Sequence, residues 1–207
     1  MKLVKNAYRK FQNKEEAAEW GKEHYSYWLP KLHDRDSDEQ TPTENFFRSY
    51  TRGIHSTYSG VLRETGIDKY DFTDSPDLKN EIIEGIAEIN KNLLSENIVV
   101  YRYVSPMVLD LMKTWSKVKS IRQNSILTDK GFFSTTLSLD SVSKRSYAQY
   151  KNNSIFKIYV PKGTPCVYVG LVAGMDENEM LFAPNIKLKV LSNYLFSKRI
   201  ECVVVHD

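Results

Sequence analysis

The sequence predicts an α+β fold, with helices in the first half of the chain and strands in the second. Before residue 95, apolar residues recur every three or four positions, as on one face of a helix. From Asn97 onwards, short runs of β-branched and aromatic residues dominate. Helices followed by strands favour α+β over a doubly wound parallel sheet. We expect the 207 residues to form a single domain, helical over 1–95 and mainly β over 96–207.

Three helical segments are predicted in the first half. The first is expected over 13–28, ends before Pro30, and is followed by a polar loop over 31–43. The second carries an apolar and aromatic stripe that we expect to face the core: Phe47, Tyr50, Ile54, Tyr58, Val61 and Leu62. The third follows a turn at 73–76 and has one apolar side: Leu78, Ile82, Ile86, Ile89 and Leu93.

The second half begins with a strand at Ile98–Val104 and a short helix that Pro106 opens and that runs through Trp115. Six further segments have strand composition: 131–137, 154–160, 165–169, 179–182, 186–191 and 200–205.

The composition excludes several classes of protein. Hydrophobic residues at 41% and charged residues at 27% exclude intrinsic disorder. A net charge of +3 is too small to predict nucleic acid or an anionic membrane as the main partner. No segment has the length and hydropathy of a membrane span, and the N-terminus lacks the apolar core of a signal peptide. We therefore expect either delivery by another route or a catalytic part of a larger protein.

The sequence also lacks the common signatures of metal and redox sites. Cys166 and Cys202 form no CxxC pair, and we expect both to be small buried residues. The four histidines, at positions 24, 33, 55 and 206, are scattered, so no metal site is predicted. Dinucleotide-binding GxGxxG, P-loop, HExxH and GxSxG motifs are absent.

Three short segments are candidates for a functional site. Arg102 lies within an apolar strand, where a buried cation needs an anion, although an arginine paired with a carboxylate or facing water would also account for it. In the 134–136 segment, strand alternation places the hydroxyls of Ser134 and Thr136 on one face, opposite Thr135.

The third segment holds two carboxylates, Glu177 and Glu179. If the segment is extended, both project to one side and repel each other, which a purely structural strand has no reason to accept. A solvated acidic loop tip is the alternative.

In this order, the three segments resemble the Arg, Ser-Thr-Ser and Glu-X-Glu signature of the mono-ADP-ribosyltransferases. The branch that they resemble includes clostridial binary actin-modifying toxins and Rho-modifying exoenzymes. Further segments are similar to the same family and follow its order: 17–21, 50–51, 59–63 and 156–163. The resemblance implies the ADP-ribosyltransferase fold, with N-terminal helices packed on two antiparallel-rich sheets.

The resemblance also implies the chemistry of the site. NAD would be split at its nicotinamide-ribose bond, with no metal, and ADP-ribose would pass to a protein side chain. Glu179 matches the catalytic position that stabilises the ribose cation, and Ser134 would orient it. Glutamate at 177 goes with arginine acceptors, whereas glutamine there goes with asparagine acceptors. Arg102 would clamp the phosphates of NAD.

Other positions are implied to bind NAD: Tyr103, Arg63, Thr135, Thr136, Ser59 and Tyr147. Two of these depart from the family pattern. Ser59 stands where the family commonly has asparagine, and Tyr147 lies in a segment that keeps the aromatic residue but not the arginine.

The resemblance therefore predicts an arginine-directed toxin or effector with actin as the leading acceptor, secreted or injected to act in a host cytosol, with any delivery domain separate or missing. Two related alternatives stay open: an NAD glycohydrolase that uses water as acceptor, and an inactive member that only binds. A binder of single-stranded nucleic acid, suggested by 13 tyrosines and nine phenylalanines, is the weakest alternative, since those aromatics fall mostly at core spacing.

Overall fold

The computed structural model describes residues 4–27, 41–141, 152–172, 177–194 and 198–206. Its first helix, α1, spans Lys14–Tyr25 and begins where the side chain of Asn13 accepts a hydrogen bond from the backbone N–H of Glu16 (2.9 Å). Helix α1 ends before the predicted Trp28, which lies outside the described residues together with most of the predicted loop.

The second predicted helix is two helices, α2 (Pro42–Ser49) and α3 (His55–Glu64). A wide turn over Tyr50–Ile54 separates them, because Gly53 adopts a φ of 114°, which a helix does not allow. The break turns Ile54 away from the predicted stripe, and its side chain is 43% exposed. The other five residues of that stripe are buried, as predicted.

Helix α4 spans Pro76–Lys91 and ends earlier than its apolar pattern suggests. The side chain of Asn92 donates to the carbonyl oxygen of Glu88 (2.7 Å) and so satisfies a free carbonyl of the last turn. Leu93 therefore lies beyond the helix and is 60% exposed, which contradicts its predicted place on the apolar side. Helix α5 spans Pro106–Trp115, as predicted.

In the residues that the structure describes, eight strands follow the helical part, with α5 and a short 3₁₀ helix at Leu139–Ser141 between them. They are β1 (Ile98–Val104), β2 (Ile126–Asp129), β3 (Phe133–Thr136), β4 (Ser154–Val160), β5 (Val167–Tyr168), β6 (Glu179–Phe182), β7 (Ile186–Tyr194) and β8 (Arg199–Val205). Strand β2 is an addition to the predicted set, because it ends at Asp129 before Lys130 and Gly131, a pattern typical of a turn.

The α+β class is confirmed, but the strands form one sheet rather than the two that the resemblance implies. The order is β2-β7-β8-β4-β1-β3-β6-β5, and every pairing is antiparallel except β4 with β8. The two halves are joined because β1 pairs along its whole length with β4 and at one position with β3, Tyr101 opposite Thr136. This short junction leaves room for a cleft between β1 and β3.

Two hydrophobic clusters stabilise this arrangement. The larger contains the buried faces of β1, β4 and β8, and α1 and α5 pack against it. The smaller packs α2, α3 and α4 on β5, β6 and Phe132, the residue before β3, through residues such as Phe46, Tyr58 and Leu181. Cys166 and Cys202 are buried and unpaired, as predicted. Over the described ranges, the helices lack the combination of length and apolar character that crossing a membrane requires.

Candidate active site

A cleft of about 200 Å³ opens at the junction of β1 and β3. It brings together the three segments singled out in the sequence, and its lining residues are Tyr101, Arg102, Tyr103, Ser134, Thr135, Thr136, Glu177 and Glu179. The single register pair between β1 and β3 places the arginine strand directly beside the hydroxyl strand. Strand β6 then pairs with β3 on its other side and adds the carboxylates.

The three hydroxyl groups of β3 make different contacts. Thr135 donates to the carbonyl oxygen of Met180 (3.1 Å), so its side chain joins β3 to β6 away from the other two. The hydroxyl of Thr136 lies 2.7 Å from the carbonyl oxygen of Glu177 and holds the segment before β6. Ser134 interacts with the side chains of Glu179 and Tyr50, and is therefore the hydroxyl that faces the carboxylate.

Glu179 is the most electrostatically perturbed carboxylate of the cleft. Burial raises its pKa to about 7, and the neighbouring charge of Glu177 acts in the same direction. The hydrogen bond from Ser134 and the charge of Arg102 oppose the increase. Near neutral pH the side chain therefore exchanges readily between its two protonation states, as a functional acid or carboxylate requires.

Asn178 fixes the two glutamates that flank it. Its φ of 47° places it in the left-handed region, so the chain turns there and strand β6 begins only at Glu179. The buried Asn178 side chain accepts from the hydroxyl of Tyr168 (2.6 Å) and donates to Ser141 Oγ (2.7 Å) and to the carbonyl oxygen of Lys14 (2.8 Å). Both carboxylates reach the cleft, although not by simple strand alternation.

Arg102 enters the cleft from β1 with its positive charge already partnered. One N–H donates to the carbonyl oxygen of Ser134 (2.8 Å), and the guanidinium lies 4.2 Å from the ring centre of Phe133. Its Nη2 is 3.6 Å from Oδ2 of Asp129, a carboxylate with no exposed surface. The anion that a buried arginine needs is thus part of the protein.

Asp129 also binds Arg63 of α3. Arg63 donates from Nε (3.0 Å) and Nη2 (2.9 Å) to the two carboxylate oxygens, a bidentate pair. The backbone N–H of Gly131 donates to the same carboxylate (2.9 Å). A Cβ at Gly131 would lie 2.7 Å from Arg63 Nε, so glycine is needed for this close approach. Two cations on one anion leave a single positive charge at this side of the cleft.

Sequence reasoning missed Asp129 and underrated Tyr50. Asp129 precedes Lys130 and Gly131, a pattern typical of a turn, so nothing in its neighbourhood suggested a buried partner for two arginines. Tyr50 has core spacing and is buried. Its hydroxyl nevertheless lies close enough to Ser134, Glu179 and Arg102 for all three to influence its pKa, which burial raises well above the ordinary value.

The remaining predicted residues are placed differently. Tyr103 lines the cleft. Ser59 is buried in α3, one turn before Arg63, and is not among the lining residues. Tyr147 lies outside the described residues. In the part of the chain that the structure describes, no three His, Cys, Asp or Glu side chains gather as ligands of a metal ion.

Comparisons with known proteins identify the family to which the chain is similar. The family model of the ADP-ribosyltransferase exoenzymes matches residues 17–206. The chain is similar to NAD(+)–arginine ADP-ribosyltransferase EFV of Enterococcus faecalis, with 28% identity over 148 residues, 70% of this chain and 28% of that protein. It is also similar to the mono(ADP-ribosyl)transferase SpvB of Salmonella typhimurium, with 33% identity over 117 residues, 55% of this chain and 17% of that protein. The matched segments thus span less than a third of these relatives.

A solved structure shares the fold. The C3stau2 structure from Staphylococcus aureus with NAD superposes with a TM-score of 0.68 at 16% identity, covering 97% of this chain and 99% of that one.

Proposed function

The chain belongs to the ADP-ribosyltransferase exoenzyme family, and from this premise we propose that it cleaves nicotinamide from NAD and transfers ADP-ribose to an arginine of a target protein. The observation that carries the proposal is the state of Glu179, a carboxylate with a pKa of about 7 beside Ser134, Glu177 and Arg102 in one cleft. The similarity to an enzyme named for transfer from NAD to arginine supports the acceptor class.

The arginine side of the cleft fits the diphosphate of NAD. Arg63 and Arg102 together carry one charge more than Asp129 neutralises, so this side attracts an anion. Arg102 has five N–H groups, and among the described contacts only one of them donates a hydrogen bond, to Ser134. The N–H groups that face neither Ser134 nor Asp129 would be available to phosphate oxygens, as charge-assisted hydrogen bonds. Tyr103, on the same strand, lines the cleft and would contact the dinucleotide beside them.

The carboxylate side fits the bond that is broken. Loss of nicotinamide leaves positive charge on the ribose, as in glycoside hydrolysis, and the departing ring needs no proton. An ionised Glu179 would stabilise that charge, with Ser134 holding its orientation. Since burial makes the ionised form costly, the carboxylate gains more from a nearby cation than an exposed glutamate would.

Glu177 is suited to the acceptor. It lies at the start of the same cleft, and its backbone oxygen is held by Thr136. A carboxylate there would pair with the guanidinium of an incoming arginine and bring it towards the ribose that Glu179 stabilises. The two glutamates would thus divide the reaction, Glu179 for release of nicotinamide and Glu177 for transfer.

We propose actin as the first acceptor to test, on the resemblance of the Glu-X-Glu segment to actin-modifying toxins. Membership in an exoenzyme family supports action outside the producing cell, after secretion or injection.

Labelled NAD tests the proposal directly. The chain is incubated with labelled NAD and either purified actin or a eukaryotic cell lysate, and the Glu179→Gln variant serves as the control. We expect one labelled protein whose modified residue, mapped by mass spectrometry, is an arginine. Consumption of NAD without labelled protein would instead establish a glycohydrolase, and absence of NAD consumption would establish a binding member.

A further inference from the structure

A second and larger cavity, of about 480 Å³, lies next to the proposed catalytic cleft. Its lining is rich in basic and aromatic side chains from β1, β4, β7, β8 and the N-terminal segment: Lys10, Tyr101, Lys157, Tyr194, Arg199 and one acid, Glu201. We call it the basic groove. Tyr101 lines both the basic groove and the cleft, so the two cavities are direct neighbours.

The sheet register places the basic groove and the catalytic carboxylate on one face. Glu201 pairs with Lys157, Lys157 with Tyr101, Tyr101 with Thr136, and Thr136 with Glu179. Residues opposite each other in a sheet share a face, and neighbouring strands are about 4.8 Å apart. Lys157 is three strands from Glu179, hence about 14 Å along this row, a distance that about four residues of extended chain span.

The charge of the basic groove is not balanced within it. Glu201 is already bound by Lys5 and by Lys157 (3.3 Å). The side chains of Lys10 and Arg199 are exposed, and no described residue forms an ion pair with either. The lining holds three cationic side chains and one carboxylate, which leaves two positive charges beside a cleft that holds two glutamates.

The basic groove also opens on the acceptor side of the cleft. Tyr101 is the register partner of Thr136, and Thr136 holds the carbonyl oxygen of Glu177, the residue that would receive the acceptor arginine. The NAD phosphates would lie at Arg102, the next residue of β1, whose side chain diverges from that of Tyr101 by strand alternation although both line the cleft.

We propose that the basic groove docks an acidic, extended segment of the acceptor protein, about four residues from the arginine that is modified. The inference rests on the proposed transferase function and adds a requirement for the acceptor's sequence. Acidic side chains would meet Lys10, Lys157 and Arg199, and the rings of Tyr101 and Tyr194 would contact the backbone and apolar atoms between them.

Peptide binding tests the docking site independently of catalysis. A fluorescent hexaglutamate peptide is titrated with the whole chain, in parallel with hexalysine and a Ser-Gly peptide. The Lys10→Glu/Arg199→Glu variant is compared with Lys22→Glu/Lys69→Glu, which makes the same change in net charge at exposed sites elsewhere. We expect hexaglutamate alone to bind the wild type and the control variant, and its affinity to fall about tenfold or more in the groove variant.

Peptide modification then tests the link to the acceptor. Arginine peptides carry three glutamates, three lysines or three serines about four residues before or after the arginine. With the wild type, one of the two glutamate peptides, with its acidic run either before or after the arginine, should have a kcat/KM of transfer about threefold to tenfold higher than the lysine and serine peptides. The groove variant should reverse this preference in favour of lysine. Hydrolysis of NAD should be equal in all three enzymes.

The outcomes separate the two proposals. Equal binding of hexaglutamate by the groove variant and the wild type would overturn the docking site. Binding at the basic groove without any advantage of the glutamate peptides would overturn its role for the acceptor. Either result leaves the transferase function standing, whereas that function fails if NAD is consumed and no protein in a lysate is labelled.

Discussion

The two sides of the cleft differ in how their charges are balanced within the protein. On the arginine side, Arg63 and Arg102 share the buried Asp129, so the cations are paired before any ligand arrives. On the carboxylate side, Glu177 and Glu179 repel each other, and burial raises the pKa of Glu179 to about 7. The difference indicates that the arginine side is rigidly prearranged, whereas the carboxylate side holds a charge that only a cation at the ribose would satisfy.

The rest of the fold stabilises the carboxylate side of the cleft, where the two glutamates repel each other. Asn178 keeps its left-handed conformation through hydrogen bonds with Tyr168, Ser141 and Lys14. These contacts link the turn to α1, to the segment after β3 and to β5. A strained backbone between two carboxylates is thus stabilised by groups that take no part in the proposed reaction.

The largest effect is expected on the arginine side, from Asp129→Asn. Removing the shared carboxylate leaves two guanidinium groups without their anion, which costs about 3–5 kcal/mol for a broken buried ion pair. We expect the free energy of unfolding in urea to fall by that amount. The KM for NAD should rise, since Arg63 and Arg102 lose the group that orients them.

An exposed pair provides the matched control for Asp129. Asp110 forms an ion pair with Lys113 on the surface of α5, and its side chain is 69% exposed. Asp110→Asn should cost less than about 1 kcal/mol and leave KM unchanged. Equal effects of the two substitutions would contradict the role given to Asp129.

The sequence predicted the parts of the molecule that depend on local patterns. The strand at Ile98–Val104 and the helix at Pro106–Trp115 are found at their predicted bounds, because composition and proline chemistry decide them locally. The resemblance named the lining residues Arg102, Ser134 and Glu179.

What the sequence did not predict depends on contacts between distant residues. Asp129 becomes a shared ion-pair partner only because α3 and β1 place Arg63 and Arg102 beside it in the fold. The periodicity of the sequence contains no information on this contact. Likewise, the break at Gly53 depends on one backbone angle rather than on the apolar pattern, which continues through it. The joining of the strands into one sheet depends on a single pair, Tyr101 with Thr136.

The pH dependence of NAD cleavage tests the raised pKa of Glu179 on the carboxylate side. Glu179 must be ionised, so hydrolysis should rise with pH through about 7 and fall roughly tenfold per unit well below that midpoint. The charge of Glu177 raises the pKa of Glu179. The midpoint should therefore move to lower pH in Glu177→Gln.

The opposite shift is expected in Ser134→Ala, because the hydrogen bond from Ser134 lowers the same pKa. Initial rates of nicotinamide release across pH 5–9 measure both midpoints. A wild-type midpoint near 4.5, the ordinary value for glutamate, would contradict the assignment.

A further effect is expected on the pH dependence of stability. Because burial raises the pKa of Glu179 in the folded chain, the folded state holds its proton over a pH range where the unfolded chain has lost it. The carboxyl group thus contributes stability below about pH 4.5 that is lost as pH rises through about 7. Glu179→Gln avoids this loss, so its Tm relative to wild type should increase from pH 5 to pH 8. If the difference in Tm between Glu179→Gln and wild type did not change with pH, the folded protein would stabilise the ionised Glu179 as well as water does, contrary to this account.

The division of labour between the two glutamates is tested most directly by measuring nicotinamide release and protein labelling in parallel for wild type, Glu179→Gln and Glu177→Gln. We predict that Glu179→Gln lowers both rates by at least about 100-fold, as expected when a transition-state charge loses its partner. Glu177→Gln should abolish labelling of the acceptor and retain much of the nicotinamide release. Full transferase activity in Glu179→Gln, or equal loss of both activities in Glu177→Gln, would contradict the account.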